Sequence, residues 1–228
     1  MSEPGTWQSP TPTSAAALQQ RLQELRELVL SMGEEVDRAM ARATAGLVSR
    51  DVDLCTAVIG DDERLDRLLI EARQQSLEAL AGASAPADVR AVLGLLHMAI
   101  ELERMADHCA NIARIGRTLA DLPPIGTYVD IPRLAEVCAD QMRQMLGALV
   151  ADDVQRARAV AARDDRINRI HHRIVDELVE LMSESGDLVF RGMQLVMVSQ
   201  NFERIGDRVT NLAEDLVFLE TGVTEHLG

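Results

Sequence analysis

From Leu18 onward, apolar residues recur at alternating steps of four and three: Leu18, Leu22, Leu25, Val29, Met32, Val36, Ala39, Ala43 and Gly46. That spacing lays one apolar seam along an α-helix, and nothing interrupts it until about Ser49, a rod of roughly 45 Å at ~1.5 Å per residue. Arg50-Asp51-Val52-Asp53 reads as a turn, with Asp51 or Asp53 as the next N-cap. A second helix to about Leu80 points Leu54, Val58, Leu65, Leu68 and Ala72 inward, and the 82–86 stretch (Gly-Ala-Ser-Ala-Pro) ends it. A third, from about Ala87, carries Leu95, Met98, Leu102, Met105, Cys109, Ile112 and Leu119. Asp121-Leu122-Pro123-Pro124-Ile125-Gly126 breaks the pattern, and Pro132 is expected to delay its return.

The programme then repeats. A fourth helix over about 133–150 carries Leu134, Val137, Met142, Met145 and Leu149. Asp152-Asp153 turns the chain into a fifth, running to about Ser183 with Val160, Ile167, Ile170, Ile174 and Leu181. Ser185-Gly186-Asp187 leads into a sixth, with Leu195, Val198, Phe202, Ile205, Val209, Leu212, Leu216 and Leu219, after which the chain is expected to fray. Glu63-Arg64-Leu65-Asp66-Arg67-Leu68 matches Asp165-Arg166-Ile167-Asn168-Arg169-Ile170, so the period is about 100 residues, a duplicated domain and not a solenoid. The expected fold is all-α: two tandem antiparallel three-helix bundles related by internal duplication, six long helices in all. The boundaries fall at 1–16 (a Pro- and Gly-containing disordered tail), 17–120 (first repeat), 121–132 (linker), 133–222 (second repeat) and 223–228 (C-terminal tail).

Composition narrows the function. Aromatics are 2% of the 228 residues, which starves a β-sheet. The net charge of -14 argues against non-specific nucleic-acid binding and suits a cation or a basic protein partner. Cys55, Cys109 and Cys138 fall within helical patterns with no C-x-x-C pairing, as buried thiols of a reducing compartment do. No leader and no apolar run long enough for a bilayer is evident, so the chain reads as cytoplasmic.

The chemistry concentrates in Glu103-Arg104-Met105-Ala106-Asp107 and its echo Glu203-Arg204-Ile205-Gly206-Asp207, followed at the same interval by Asn111 and Asn211. Residues four apart share nearly one helix face, so each copy stacks two carboxylates. In an antiparallel hairpin, facing residues have numbers summing to a constant. A turn centred near Ser84-Ala85 sets Asp66 level with Glu103 and Asp62 level with Asp107. A turn near Ser185-Gly186 sets Asn168 level with Glu203 and Asp164 level with Asp207. All flank the apolar seam, beside the small residues Ala106 and Gly206, and so belong to a rim or shallow groove. Clustered oxygen ligands suit hard cations or iron. The blander alternative is a solvated acidic rim neutralised by Arg64, Arg67, Arg104 and Arg166; the two copies favour metal. No Glu-x-x-His pair, phosphate-cradling Gly-rich loop or nucleophile elbow is present, so the chain reads as non-enzymatic. A metal-dependent enzyme and a plain helical scaffold are the alternatives.

The segments 102–113 (LERMADHCANIA) and 202–214 (FERIGDRVTNLAE) resemble the paired signature of the PhoU family of phosphate-uptake regulators. Asp88-Val89-Arg90 and the Asp62/Asp66 segment fit the same pattern, and the likeness covers about residues 18–220. The resemblance implies a six-helix negative regulator of the phosphate-starvation response, coupling two partners: the ATPase subunit (PstB-like) of the phosphate ABC transporter and a sensor histidine kinase (PhoR-like). It implies a homodimer that meets the membrane only through protein partners, and iron or zinc among possible divalent or trivalent ions. Carried over residue by residue, the ligands are Asp62, Asp66, Glu103 and Asp107, then Asp164, Glu203 and Asp207, with Asn111, Asn168 and Asn211 as weak or supporting groups. Asn168 in place of a carboxylate, and Arg208 in place of His108, imply a weaker second site.

Overall fold

The computed structural model of the protein describes residues 15–125 and 130–228. Residues 1–14 of the expected 1–16 tail and residues 126–129 of the expected linker lie outside them, while Ala15 and Ala16 already belong to the first helix. Seven α-helices and one short 3-10 turn make up the described regular structure: α1 (Ala15–Ser49), α2 (Val52–Leu80), α3 (Pro86–Leu119), α4 (Asp130–Ala151), α5 (Val154–Ala161), α6 (Asp164–Glu184), the 3-10 turn Gly186–Leu188, and α7 (Val189–Thr221). Helices α1, α2 and α3 form one bundle, while α4, α5, α6 and α7 form the other. The bundles meet where α3 lies against α7 and α1 against α4, so α3 and α7 bury more than one stripe.

The turns repeat as well as the rods. Arg50 and Asp152 each take a left-handed conformation (φ 60° and 51°), and the Asp that follows caps the next helix. Asp51 accepts from the Leu54 N–H and Asp153 from the Arg156 N–H, both at 2.9 Å. Of the two expected caps in the first turn, Asp51 is the one used. The Arg50 guanidinium donates to the carbonyls of Ala120 and Leu122, closing the C-terminal end of α3, whose last carbonyls have no intrahelical partner. Arg90 does the same for α7 through the Leu219 carbonyl at 3.0 Å. Gly222 ends α7 at φ 73°, where a Cβ would meet the Arg90 guanidinium at 2.8 Å.

Three expectations need correction. The fifth rod is not continuous: it breaks at Ala162-Arg163, so Asp164 opens a new helix. Pro132 does not delay α4, which starts at Asp130 and holds the proline in its first turn, where N–H groups have no intrahelical partner anyway. The C-terminal segment does not fray: Glu225 receives a two-pronged pair from Arg158 (2.6 and 2.9 Å), and the Leu227 N–H donates to Glu214 at 2.9 Å. All three cysteines are free and buried, as expected, and burial pushes the Cys109 and Cys138 thiols far up.

Candidate functional site

In the first repeat, α2 and α3 bring the predicted acids to one side of the bundle. Asp62 and Glu103 are half-buried, while Asp66 and Asp107 face solvent. Burial pushes the Asp62 carboxyl up, Asp107 and Asp66 push it further, and Arg114, 3.6 Å away, offsets part of this. Glu103 is raised by burial and then by Asp107, Asp66 and Asp62 in turn. Each of these two acids feels the charges of the other helix, as the hairpin register requires. Beside Asp62 and Ala106 opens a cavity of about 150 Å³, lined also by Glu35 of α1. Glu35 is absent from the predicted set because it comes from α1, outside the α2–α3 hairpin whose register aligns the other acids.

The arginines expected to neutralise this rim are turned elsewhere. Arg64 pairs with Glu35 at 2.6 Å, Arg67 with Glu63 at 3.7 Å, and Arg104 with Glu101 at 2.8 Å. Among the described residues, no group of three or more His, Cys, Asp or Glu side chains stands arranged to hold a metal ion.

In the second repeat, the helix break places Asp164 at the first position of α6, where the N-terminal end of the helix dipole favours a negative charge. Burial raises its carboxyl, Asp207 raises it further, and the Asn168 amide lowers it through a 2.8 Å hydrogen bond to Oδ2. The other oxygen, Oδ1, is buried without a hydrogen-bond partner. Burial and Asp207 also raise Glu203, against the lowering effect of Arg204. Gly206 leaves no open space over these acids: α6 has closed onto it, and a Cβ there would meet Ile167 Cδ1 at 2.8 Å and Asp164 Oδ1 at 3.1 Å. Oδ1 is thus one unpartnered, partly desolvated oxygen donor of the kind a hard cation takes, although Asp164, Glu203 and Asp207 do not stand arranged together around an ion.

Asn111 and Asn211 do not join the acids. Asn111 accepts from Arg114 at 2.7 Å, and Asn211 reaches across the seam between the bundles to Glu101 at 2.8 Å. Arg208 also turns away from the second cluster, its Nη1 lying 3.1 Å from Glu101. Glu101, 1% exposed, is the charged residue the sequence reading missed. Burial would raise its carboxyl, but the Asn211 hydrogen bond and the Arg208 guanidinium outweigh that and hold it below the usual range. Nearby, His97 Nδ1 lies 2.8 Å from Asp215 Oδ2. The Asp215 carboxyl is raised to about 7 by burial, which outweighs the opposing effect of His97.

The comparisons with known proteins agree with this duplicated architecture. The family model described as PhoU domain matches twice, over residues 29–116 and 131–216. A relative from Aquifex aeolicus (strain VF5), the phosphate-specific transport system accessory protein PhoU homolog, is 30% identical over 202 residues, covering 88% of this chain and 91% of its own length. The crystal structure of PhoU from Pseudomonas aeruginosa superposes with a TM-score of 0.86 at 24% identity, over 90% of this chain and 100% of that one. The crystal structure of the phosphate transport system regulatory protein PhoU from Streptococcus pneumoniae gives 0.85 at 24% identity, over 91% and 99%. Each repeat of the fold is one PhoU domain, and the chain belongs to the PhoU family.

Proposed function

We propose that this chain is a non-enzymatic regulator of phosphate uptake that restrains the phosphate-starvation response from the cytoplasmic face of the phosphate ABC transporter. The observation that carries this reading is the PhoU domain match across both repeats, together with a relative named as an accessory protein of that transport system. No helix among the described residues is long and apolar enough to cross a membrane, which agrees with contact through protein partners. The partners are a PstB-like ATPase and a PhoR-like histidine kinase, and the acidic surface favours basic patches on both. The working form is a homodimer. Deletion of the gene is expected to leave phosphate-responsive genes active when phosphate is ample, and the purified protein to retain the ATPase in a pull-down. Genes that stay repressed in the deletion strain would overturn the reading.

The carboxylate clusters are the metal sites of this reading, with iron or zinc the favoured ions. Asp62, Asp66, Glu103 and Asp107 would hold one ion or cluster, and Asp164, Glu203 and Asp207 the other. The support is the mutual raising of the acids in each repeat and the unpartnered Asp164 oxygen. A bound cation would relieve that repulsion and lower the carboxyls again. Elemental analysis of the purified protein, beside a variant with Asp62 and Glu103 replaced by Ala, tests this; equal metal content in both would refute the first site.

A further inference from the structure

The two repeats meet along α3 and α7, and the duplication offset of 100 residues makes the two ends of that seam counterparts. At one end the carboxylate of Glu101 is held by Arg104 (2.8 Å), Arg208 (3.1 Å) and Asn211 (2.8 Å). At the other end Arg204, His108 and Asn111 take those three positions, and Glu101 is replaced by the neutral Asn201. His108 Nδ1 lies 3.0 Å from Asn201 Oδ1, so the cross-seam contact persists without an anion. The space is open here: a groove of about 530 Å³ runs between the helices, lined by His108, Asn111, Arg114, Asn201 and Arg204 with no carboxylate among its walls. Ile115 and Met197 line it where the closed end has Asp215 and His97. In a chain of net charge -14, a groove this size with two arginines and no acid is an exception that calls for an anion.

We propose that this groove binds a small oxyanion, a carboxylate or phosphate group, in the place the Glu101 carboxylate occupies at the opposite end of the seam. Arg204 and Arg114 would supply charge-assisted hydrogen bonds, and the Asn111 and Asn201 amides neutral ones. The arginines are available to turn. Arg204 is half exposed and stands 3.6 and 3.8 Å from Glu203 and Asp207, while Arg114 stands 3.6 Å from Asp62 and donates to Asn111 Oδ1 at 2.7 Å on the groove wall. The loose Arg204 pairs contribute little and exchange readily, and the hydrogen bond to Asn111 already keeps the Arg114 guanidinium beside the groove. The inference does not depend on the regulatory reading.

Isothermal titration calorimetry at pH 7 and low ionic strength, with sodium phosphate and sodium succinate as separate probes and sodium chloride as control, tests it. Phosphate or succinate is expected to bind at one site with millimolar or tighter affinity, and whichever binds identifies the source of the group. Arg204→Gln is expected to weaken binding about tenfold, the loss of one charge-assisted hydrogen bond. Asn201→Glu supplies an internal carboxylate and is expected to abolish binding. Should that variant fail to fold, the surface substitution Arg204→Gln decides alone. Failure of both probes, unchanged binding in a folded variant, or binding lost after chelator treatment (which would assign it to the carboxylate clusters) overturns the proposal.

Discussion

The two repeats answer the same structural problem differently. In the first, α2 runs unbroken past Asp62 and Asp66, and four carboxylates stand at matched heights on two continuous rods. In the second, the rod is cut at Ala162-Arg163, Asp164 opens a helix, and an amide, Asn168, occupies the fourth position and bonds to Asp164. The first cluster therefore relies on continuous helices for its register and leaves its charges to repel. The second relieves one charge, adds a helix terminus, and packs α6 against Gly206. One duplicated plan supports either arrangement because the apolar seam fixes the rods while the rim residues vary without touching the core.

The seam shows the same divergence, and the largest expected effect lies there. Replacing Glu101 with Ala leaves Arg208 and Asn211 facing each other without their anion, and is expected to destabilise the fold by about 3 kcal/mol, the lower end for breaking a buried ion pair. Replacing its counterpart Asn201 with Ala removes two neutral hydrogen bonds, to His108 and to the Met197 carbonyl, and is expected to cost about 1–2 kcal/mol. Urea unfolding of both variants measures the difference, and equal losses would break the comparison. Gly206→Ala forces Ile167 and Asp164 to move and is expected to cost about 1–2 kcal/mol, overpacking partly offset by the better helix propensity of Ala. Its counterpart Ala106→Gly lowers propensity and removes a buried methyl without any clash, and is expected to cost about 1–2 kcal/mol.

Under the proposed metal reading, Asn168→Asp restores a fourth carboxylate to the second cluster and is expected to tighten cation binding roughly tenfold, equivalent to ~1.4 kcal/mol, in competition with a metal indicator; no binding in either form would count against that reading. Unchanged affinity would mean that the helix break, not the missing charge, sets that site's strength.

The smallest effect concerns pH. The Asp215 carboxyl is raised from 3.8 to about 7 in the folded protein, so the stabilisation it contributes is complete below pH 3.8 and is lost as pH rises toward 7. Asp215→Asn is expected to flatten that slope and to raise the melting temperature at pH 8 by about 2–4 °C, equivalent to ~1 kcal/mol. The reverse sign would show that His97 keeps Asp215 ionised.

The rods, the turns and the register of the acids were legible because each depends on local periodicity or turn chemistry. Seams of steps four and three mark α1 to α3, Asp51 and Asp153 mark the turns, and counting outward from Ser84 sets Asp66 beside Glu103. What escaped was set by packing between elements. The break at Ala162-Arg163 contains neither Gly nor Pro, so nothing local announces it. Nothing local singles out Glu101, since only the docking of α7 onto α3 buries it. A signal did exist: α3 and α7 are apolar over more than one stripe, wider than one three-helix bundle needs. Arg208 and Asn211 were read with the nearby Asp207, although their side chains cross the seam instead.

The seam also departs from two-fold symmetry. If a single three-helix unit had paired with a copy of itself, two-fold symmetry would have obliged both ends of the contact to carry the same residues. Glu101 facing Arg208 at one end, and His108 facing Asn201 at the other, is a combination no such ancestral homodimer could display. In a chain that carries both copies each end of the seam can change independently, and here one end is closed by the Glu101 clasp while the other opens as a groove.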